Sequence, residues 1–227
     1  MTLEKRYRRL YAGVVYDALA FDLKLHAPFV LSTDLQPIDP RPGQAIAGPA
    51  FTCHGRFVLS EAEAESLDSR RLDMLKDVEP GAIQVLATAS GPFLPALYGD
   101  VTAALSQRAG LVGAIVAGPV RDVARIRQTG FPLWCCGRSP VDAFGRWAIT
   151  EWQTEVWFPA GGTSHGAYIS PGDWVFADES GVLAIPADQV EEACECAEAR
   201  LEEEAAIRLA VKDGKPAEVI KQERGRW

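Results

Sequence analysis

A single α/β domain ending in a long helix is what this sequence predicts, and three features predict it. Apolar runs of strand length alternate with a helical stretch in mid-chain: strand 82–87, helix 100–109, strand 111–116. That alternation is the mark of α/β architecture. Turn residues punctuate the runs, with Pro80-Gly81 before the first and Gly110 between helix and second strand. Beyond Pro186, residues 187–212 place Val190, Cys194, Ala197, Leu201 and Ala205 at helical spacing, with glutamates over the remaining surface.

The other elements follow in order. Residues 6–20 put Leu10, Val14, Val15, Ala18 and Leu19 on one helical stripe. Proline and aspartate punctuate 28–42, and 43–52 reads as a strand with turns built into it. Residues 60–76 read as helix, charged on one side. After the central passage, 122–129 forms a short helix stopped by Gly130, and 132–136 a strand. The segment 147–158 carries Trp147, Ile149, Trp152, Val156, Trp157 and Phe158 and reads as β structure around an aromatic core or interface. Pro171-Gly172-Asp173 turns the chain into strand 174–178, and Gly181 opens the next, 181–185. No linker, repeat or low-complexity tract divides residues 1–227, so one domain is expected.

Composition narrows the function. Of 227 residues 48% are hydrophobic and 24% charged, with a net charge of −8. That acidity argues against binding a nucleic-acid backbone, which calls for concentrated Lys and Arg. The one basic cluster, Lys5-Arg6-Tyr7-Arg8-Arg9, is explained by an exposed helix face. Cys53, Cys135, Cys136, Cys194 and Cys196 form no CxxC pair and read as reduced thiols of a cytoplasmic protein. No apolar run reaches the roughly 20 residues that span a bilayer, and the start lacks the apolar core of a signal peptide.

Chemistry concentrates at Gly99-Asp100 and at Gly118-Pro119-Val120-Arg121-Asp122, which set two carboxylates and a guanidinium at the ends of strand-like runs. Asp122 is the candidate metal ligand. A carboxylate is a hard oxygen donor suited to Mg²⁺, with Mn²⁺ as the other option, and magnesium keeps several waters around one or two protein ligands. Arg121 offers a permanently charged planar fork for a substrate carboxylate or a developing enolate oxygen. Asp100 can orient a water or move a proton. The loop from Gly91 to Gly99 can aim N–H groups at a ligand from the N-terminus of helix 100–109. The structural alternative is that Asp100 caps that helix and Arg121–Asp122 is a surface ion pair. Nucleophile patterns are weaker: Ser164-His165 and Cys53-His54 lack a defining setting, and His26 reads as a loop residue. Neither a phosphate-cradling loop nor a dinucleotide fingerprint is present.

The chain resembles the RraA-like family, which includes ribonuclease-activity regulators and class II 4-hydroxy-4-methyl-2-oxoglutarate aldolases. The likeness spans most of residues 10–186. It is carried by Val14-Val15-Tyr16-Asp17-Ala18, Gly48-Pro49-Ala50-Phe51-Thr52, Pro80-Gly81, Tyr98-Gly99-Asp100, Gly118 to Asp122, Gly130-Phe131-Pro132, and Pro171 to Asp178 with Gly181-Val182. The resemblance implies a layered β/β/α swivelling-domain-like fold, and a homotrimer or hexamer with active sites between subunits. It implies that Asp122 binds Mg²⁺, Asp100 positions a water, and Arg121 contacts the pyruvate moiety. The loop before Asp100, with Leu97, Tyr98 and Gly99, would supply backbone contacts to substrate. A glutamate of the neighbour's C-terminal helix, matched by Glu203 or Glu204, would approach the metal water. Many members have aspartate where this chain has Ala117.

The expected activity is metal-dependent cleavage of a 4-hydroxy-2-oxo dicarboxylic acid to pyruvate, with oxaloacetate decarboxylation as a side reaction. Two accounts compete: a non-catalytic protein that binds a ribonuclease, and a related lyase for a larger product of aromatic-ring breakdown.

Overall fold

The computed structural model describes residues 1–25, 29–39, 44–88, 95–159 and 166–224. His26, Ser164-His165 and the Gly91–Leu94 part of the expected loop lie outside the described residues. The chain runs α1 (Leu3–Tyr7), α2 (Ala12–Asp17) continued by a π-helical turn (Ala18–Asp22), β1 (Gln36–Pro37), β2 (Ile46–Phe57), α3 (Glu61–Leu67), α4 (Arg70–Lys76), β3 (Ile83–Thr88), α5 (Asp100–Ala109), β4 (Gly113–Val116), α6 (Val123–Thr129) and β5 (Leu133–Cys135). It continues through β6 (Trp147–Trp152), β7 (Val156–Pro159), β8 (Gly166–Ile169), β9 (Trp174–Asp178) and β10 (Gly181–Ile185). A 3-10 turn (Ala187–Gln189) then leads into α7 (Val190–Lys212), followed by α8 (Ala217–Arg224).

Strands β2, β3, β4 and β5 lie parallel, each beside the next. β3 is buried at every position, which is why its sequence is an unbroken apolar run apart from Gln84 and Thr88. β2 gives the sheet its curl. Its first residues, Ile46–Pro49, pair antiparallel with β9, whereas Cys53–Phe57 pair antiparallel with β6. β10 extends the β9 edge, and β7–β8 form a separate two-stranded sheet.

Three apolar layers result. One contains Met74, Ala103 and Ile126 of α4, α5 and α6 packed against Phe51, Leu86 and Leu133 of the sheet. A second, on Ile83, Val85 and Ile115, meets Phe158, Ile169 and Val175 of the flanking strands. A third joins Val14, Leu19, Cys194 and Ala197 to Phe176 and Ile185. Each large apolar side chain so enclosed contributes about 1.5–3 kcal/mol over leaving it in water. This mixed α/β architecture with a curled sheet and a 23-residue helix α7 agrees with the expected swivelling-domain-like fold.

Most sequence expectations match closely. α5 occupies 100–109, and Gly110 and Gly130 end α5 and α6 in the left-handed conformation that favours glycine. The stripe Leu10, Val14, Val15, Ala18 and Leu19 is buried, though split between a turn, α2 and the π-helical turn. Residues 60–76 form two helices because Asp68-Ser69 interrupts the run, Ser69 being the N-cap residue of α4. Of the expected strand 43–52, Ile46–Thr52 forms the first half of the longer β2, paired with β9 and β3, while Gly43 lies outside the described residues. The cysteines carry no disulfide, and Cys53, Cys135 and Cys194 are buried. Among the described residues no helix is long and apolar enough to cross a membrane.

One contact makes a stability prediction. A Cβ built on Gly55 of β2 would sit 2.0 Å from the Trp147 ring. That ring cannot retreat, since its Nε1–H donates to Thr88 Oγ1 at 2.8 Å. Gly55→Ala is therefore expected to destabilise the protein by about 1–3 kcal/mol, read as a lowered denaturant midpoint; an unchanged midpoint would contradict this packing.

Candidate functional site

Isolated parallel bridges lie beyond the C-terminal ends of β4 and β5. Tyr98 pairs with Val120, and Val120 with Arg138, both in parallel sense. Arg121 N–H donates to the Tyr98 carbonyl at 2.9 Å, and Val120 N–H to that of Gly137 at 3.1 Å. Two successive strand-to-helix crossings thus end side by side, bringing Gly99-Asp100 against Arg121-Asp122. The place is outside the carboxyl ends of parallel strands, where open α/β sheets bind ligands.

Gly99 has extended backbone, with φ −139° and ψ −178°, and precedes α5 as its N-cap residue without a side-chain cap. Asp100 is therefore the first helical residue and not the cap; its Oδ1 accepts from Val101 N–H at 2.8 Å. Its Oδ2 lies 3.9 Å from Arg125 Nη1. Glycine at 99 serves proximity: a Cβ there would lie 2.9 Å from Asp122 Oδ2 and 3.3 Å from Arg121 Nε.

Asp122 has φ 55° and ψ 31°, left-handed backbone at a non-glycine residue, and its side chain makes no cap bond to α6. Such backbone costs on the order of 1 kcal/mol and persists where surrounding structure imposes it. It leaves the carboxylate beside Arg121, with Oδ2 3.2 Å from Nε. Arg121 Nη1 also donates to Asp142. Asp142 is held ionised, its carboxyl below the usual range chiefly because Phe144 N–H donates to it and then through Arg121. The planar guanidinium is consequently fixed in orientation by two carboxylates.

Asp100, Arg121 and Asp142 open onto a cleft of 200 Å³ whose walls also include Leu97–Gly99, Arg71, Phe144 and Trp147, while Asp122 adjoins it through Arg121 and Gly99 without lining it. Of the expected backbone contacts, Leu97 N–H is already donated to Pro119, and its carbonyl accepts from Arg71. The Tyr98 side chain points into the core, where its hydroxyl lies 2.6 Å from Ser106 Oγ and 3.0 Å from Gln84 Oε1. Glu203 and Glu204 do not line the cleft of their own chain. Glu203 is exposed on α7, while Glu204 accepts from the Tyr11 hydroxyl and from Arg208 Nη1 at 2.9 Å. Ala117 is buried, its N–H donated to Leu86.

Sequence reasoning missed Asp142 and Arg71. Asp142 sits in irregular chain after Pro140-Val141, with no periodicity to mark it, and Arg71 belongs to a stretch whose charges read as solvent-facing. A Cys53–His54 dyad is excluded: the Cys53 thiol is buried beside Met74 and Gln84, and burial pushes it up to about 12.

Among the described residues no three His, Cys, Asp or Glu side chains converge as a metal cage. The site does offer one carboxylate free of capping duty, Asp122, a hard-oxygen donor, with Asp100 beyond the bridged neighbouring segment placed to hold a water. That arrangement suits Mg²⁺ or Mn²⁺ completed by water and ligand oxygens rather than a metal held by protein alone.

Fold and site together define a class. A family model described as RraA-like, aldolase/RraA, matches residues 14–184, and the chain belongs to that family. Among particular relatives, protein DlpA of Legionella pneumophila is 29% identical over 182 residues, 80% of this chain but 28% of DlpA. A putative 4-hydroxy-4-methyl-2-oxoglutarate aldolase of Halalkalibacterium halodurans is 25% identical over 81% of this chain and 79% of its own length. Streptomyces coelicolor RraAS2, described as an unusual member of the RNase ES inhibitor RraA protein family, superposes with a TM-score of 0.72 at 24% identity, covering 91% of this chain and 95% of its own.

Proposed function

We propose that this chain is a divalent-metal-assisted carbon–carbon lyase that cleaves a 4-hydroxy-2-oxo dicarboxylic acid to pyruvate and decarboxylates oxaloacetate as a side reaction. The observation that carries this reading is the convergence of Gly99, Asp100, Arg121 and Asp122 at the carboxyl ends of adjacent parallel strands. Relatives named as putative aldolases support it.

In this mechanism Arg121 binds the carboxylate of the 2-oxo acid end. Its orientation, fixed by Asp142, places positive charge where the C2 oxygen becomes negative. A cation held by Asp122 would supply Lewis-acid polarisation of the 2-oxo group. Asp100 accepts the 4-hydroxyl proton through a water, C4 becomes the carbonyl carbon of the departing fragment as the C3–C4 bond breaks, and the electron pair moves into C2–C3 with charge on the C2 oxygen. Protonation at C3 then gives pyruvate. Loss of CO₂ from oxaloacetate reaches the same enolate, so one site serves both reactions. The cleft of 200 Å³ favours a small acid over a larger aromatic-ring product, since drug-sized ligands occupy pockets of roughly 300–1,000 Å³. Within a homotrimer or hexamer, Glu203 or Glu204 of a second copy would reach the site.

A second reading, a non-catalytic regulator that binds a ribonuclease, is favoured by the lack of a three-donor metal cage among the described residues. Pyruvate release separates the two. Turnover of oxaloacetate and 4-hydroxy-4-methyl-2-oxoglutarate is expected with Mg²⁺ and expected to vanish with EDTA. A folded, Mg²⁺-supplied protein that releases no pyruvate from either would leave the regulator reading standing.

A further inference from the structure

We infer that Arg71 is the second anion-binding group of the cleft, one that takes the distal carboxylate of a dicarboxylic ligand and so selects dicarboxylates over monocarboxylates. The inference deepens the lyase reading and rests on it for the identity of the ligand's other end.

Arg71 lines the same cleft as Gly99, Asp100 and Arg121. Its guanidinium is positioned on two sides. Nη2 donates to the Leu97 carbonyl at 3.1 Å, and Cζ lies 6.0 Å from the centroid of the Trp147 ring. The ring is itself anchored by its bond to Thr88. Nη1 is enclosed and has no hydrogen-bond partner. Buried polar nitrogens without partners are rare in folded proteins, and each calls for an explanation. A half-buried cation with an enclosed, unpaired donor is costly unless an anion completes it.

No carboxylate of the described chain forms an ion pair with Arg71. Asp142 acts on it only through space, and Asp142 is engaged by Arg121. Burial works against the guanidinium's charge, as expected for a cation lacking a counter-ion. The two arginines of the cleft are therefore unequal. Arg121 meets two carboxylates, Asp122 and Asp142, and is oriented by them. Arg71 meets a carbonyl and an aromatic ring, and keeps one donor unspent. A planar carboxylate is the anion whose geometry matches that remaining side of a guanidinium fork. Methionine at 71 would keep the aliphatic stem against Trp147 while removing the charge.

The test is calorimetric binding, in Mg²⁺ buffer, of 2-oxoglutarate (two carboxylates) and 2-oxobutyrate (one) to wild type and Arg71→Met. Wild type is expected to prefer 2-oxoglutarate. Arg71→Met should weaken 2-oxoglutarate by about 10- to 100-fold, the range for loss of a charged hydrogen bond, and leave 2-oxobutyrate within about twofold. If Arg71→Met does not fold, Arg71→Lys retains the charge without the fork, and a loss confined to 2-oxoglutarate is again expected. Equal affinities of the two acids for wild type, an unchanged 2-oxoglutarate affinity in the folded variant, or equal losses for both acids would each overturn the inference. Pyruvate release from wild type is followed in parallel. Dicarboxylate selectivity lost with Arg71, in a protein that never releases pyruvate, would uphold this site while overturning the lyase reading.

Discussion

Asp122→Asn should reduce pyruvate formation by at least about 10³-fold and leave the fold standing. Asparagine tolerates left-handed backbone as aspartate does, so the local strain at φ 55° is unchanged. No cap bond is lost, because the Asp122 side chain makes none. The pair with Arg121 is about one-third exposed and is worth little to stability. What disappears is a negative charge beside Arg121, on a carboxylate that, unlike those of Asp100 and Asp142, accepts no backbone N–H bond among the described residues. Asp122→Gly sharpens the test. Glycine accepts left-handed backbone freely, and that relief offsets the wider unfolded ensemble it brings, so this variant should be equally inactive and within about 1 kcal/mol of wild-type stability. Steady-state pyruvate release and thermal melts on the three proteins measure both halves. An Asp122→Asn protein keeping more than a tenth of wild-type turnover would remove Asp122 from the mechanism.

The readable part of the site lay in repetition. Two consecutive strand-to-helix crossings each carried aspartate at the same structural point, so the Tyr98–Val120 bridge set Gly99-Asp100 beside Arg121-Asp122. α5 was readable for a similar local reason, being bounded by turn residues at both ends. Hidden features were tertiary. The curl depends on β2 exchanging partners between β9 and β6, and nothing within 46–57 announces two different neighbours. β8 and α8 carry too few periodic apolar residues to stand out. Asp142 and Arg71 acquire meaning only when chain distant in sequence folds over the strand ends. A charged residue on a short helix reads as solvated until Leu97 and Trp147 are placed against it. The fold was thus more legible than the electrostatics of the cleft.

Gly99→Ala should lower kcat/KM by about 10²-fold with little change in stability, because this glycine provides room and not conformational freedom. Its φ of −139° suits any residue, so alanine meets no backbone penalty. Restricting the unfolded chain even favours alanine by about 0.4–1 kcal/mol, offsetting part of the new crowding. The crowding falls on the reacting groups: the added carbon would approach Asp122 Oδ2 to 2.9 Å and Arg121 Cγ to 3.3 Å. Asp122 is confined by its left-handed backbone, and Arg121 is tethered at its far end by Asp142. Neither can yield without changing the angle between carboxylate and guanidinium, and a displacement near 1 Å can cost about 10²-fold in rate. Releasing the tether tests that account. Asp142→Ala alone should lower activity by loosening Arg121, whereas in the Gly99→Ala background it lets the guanidinium move away from the new methyl group. The double variant should therefore be less impaired than the product of the two single losses. Strict multiplicativity of the kcat/KM effects would mean that Gly99 and Asp142 act on Arg121 independently, and that the close approach at Gly99 does not set its position.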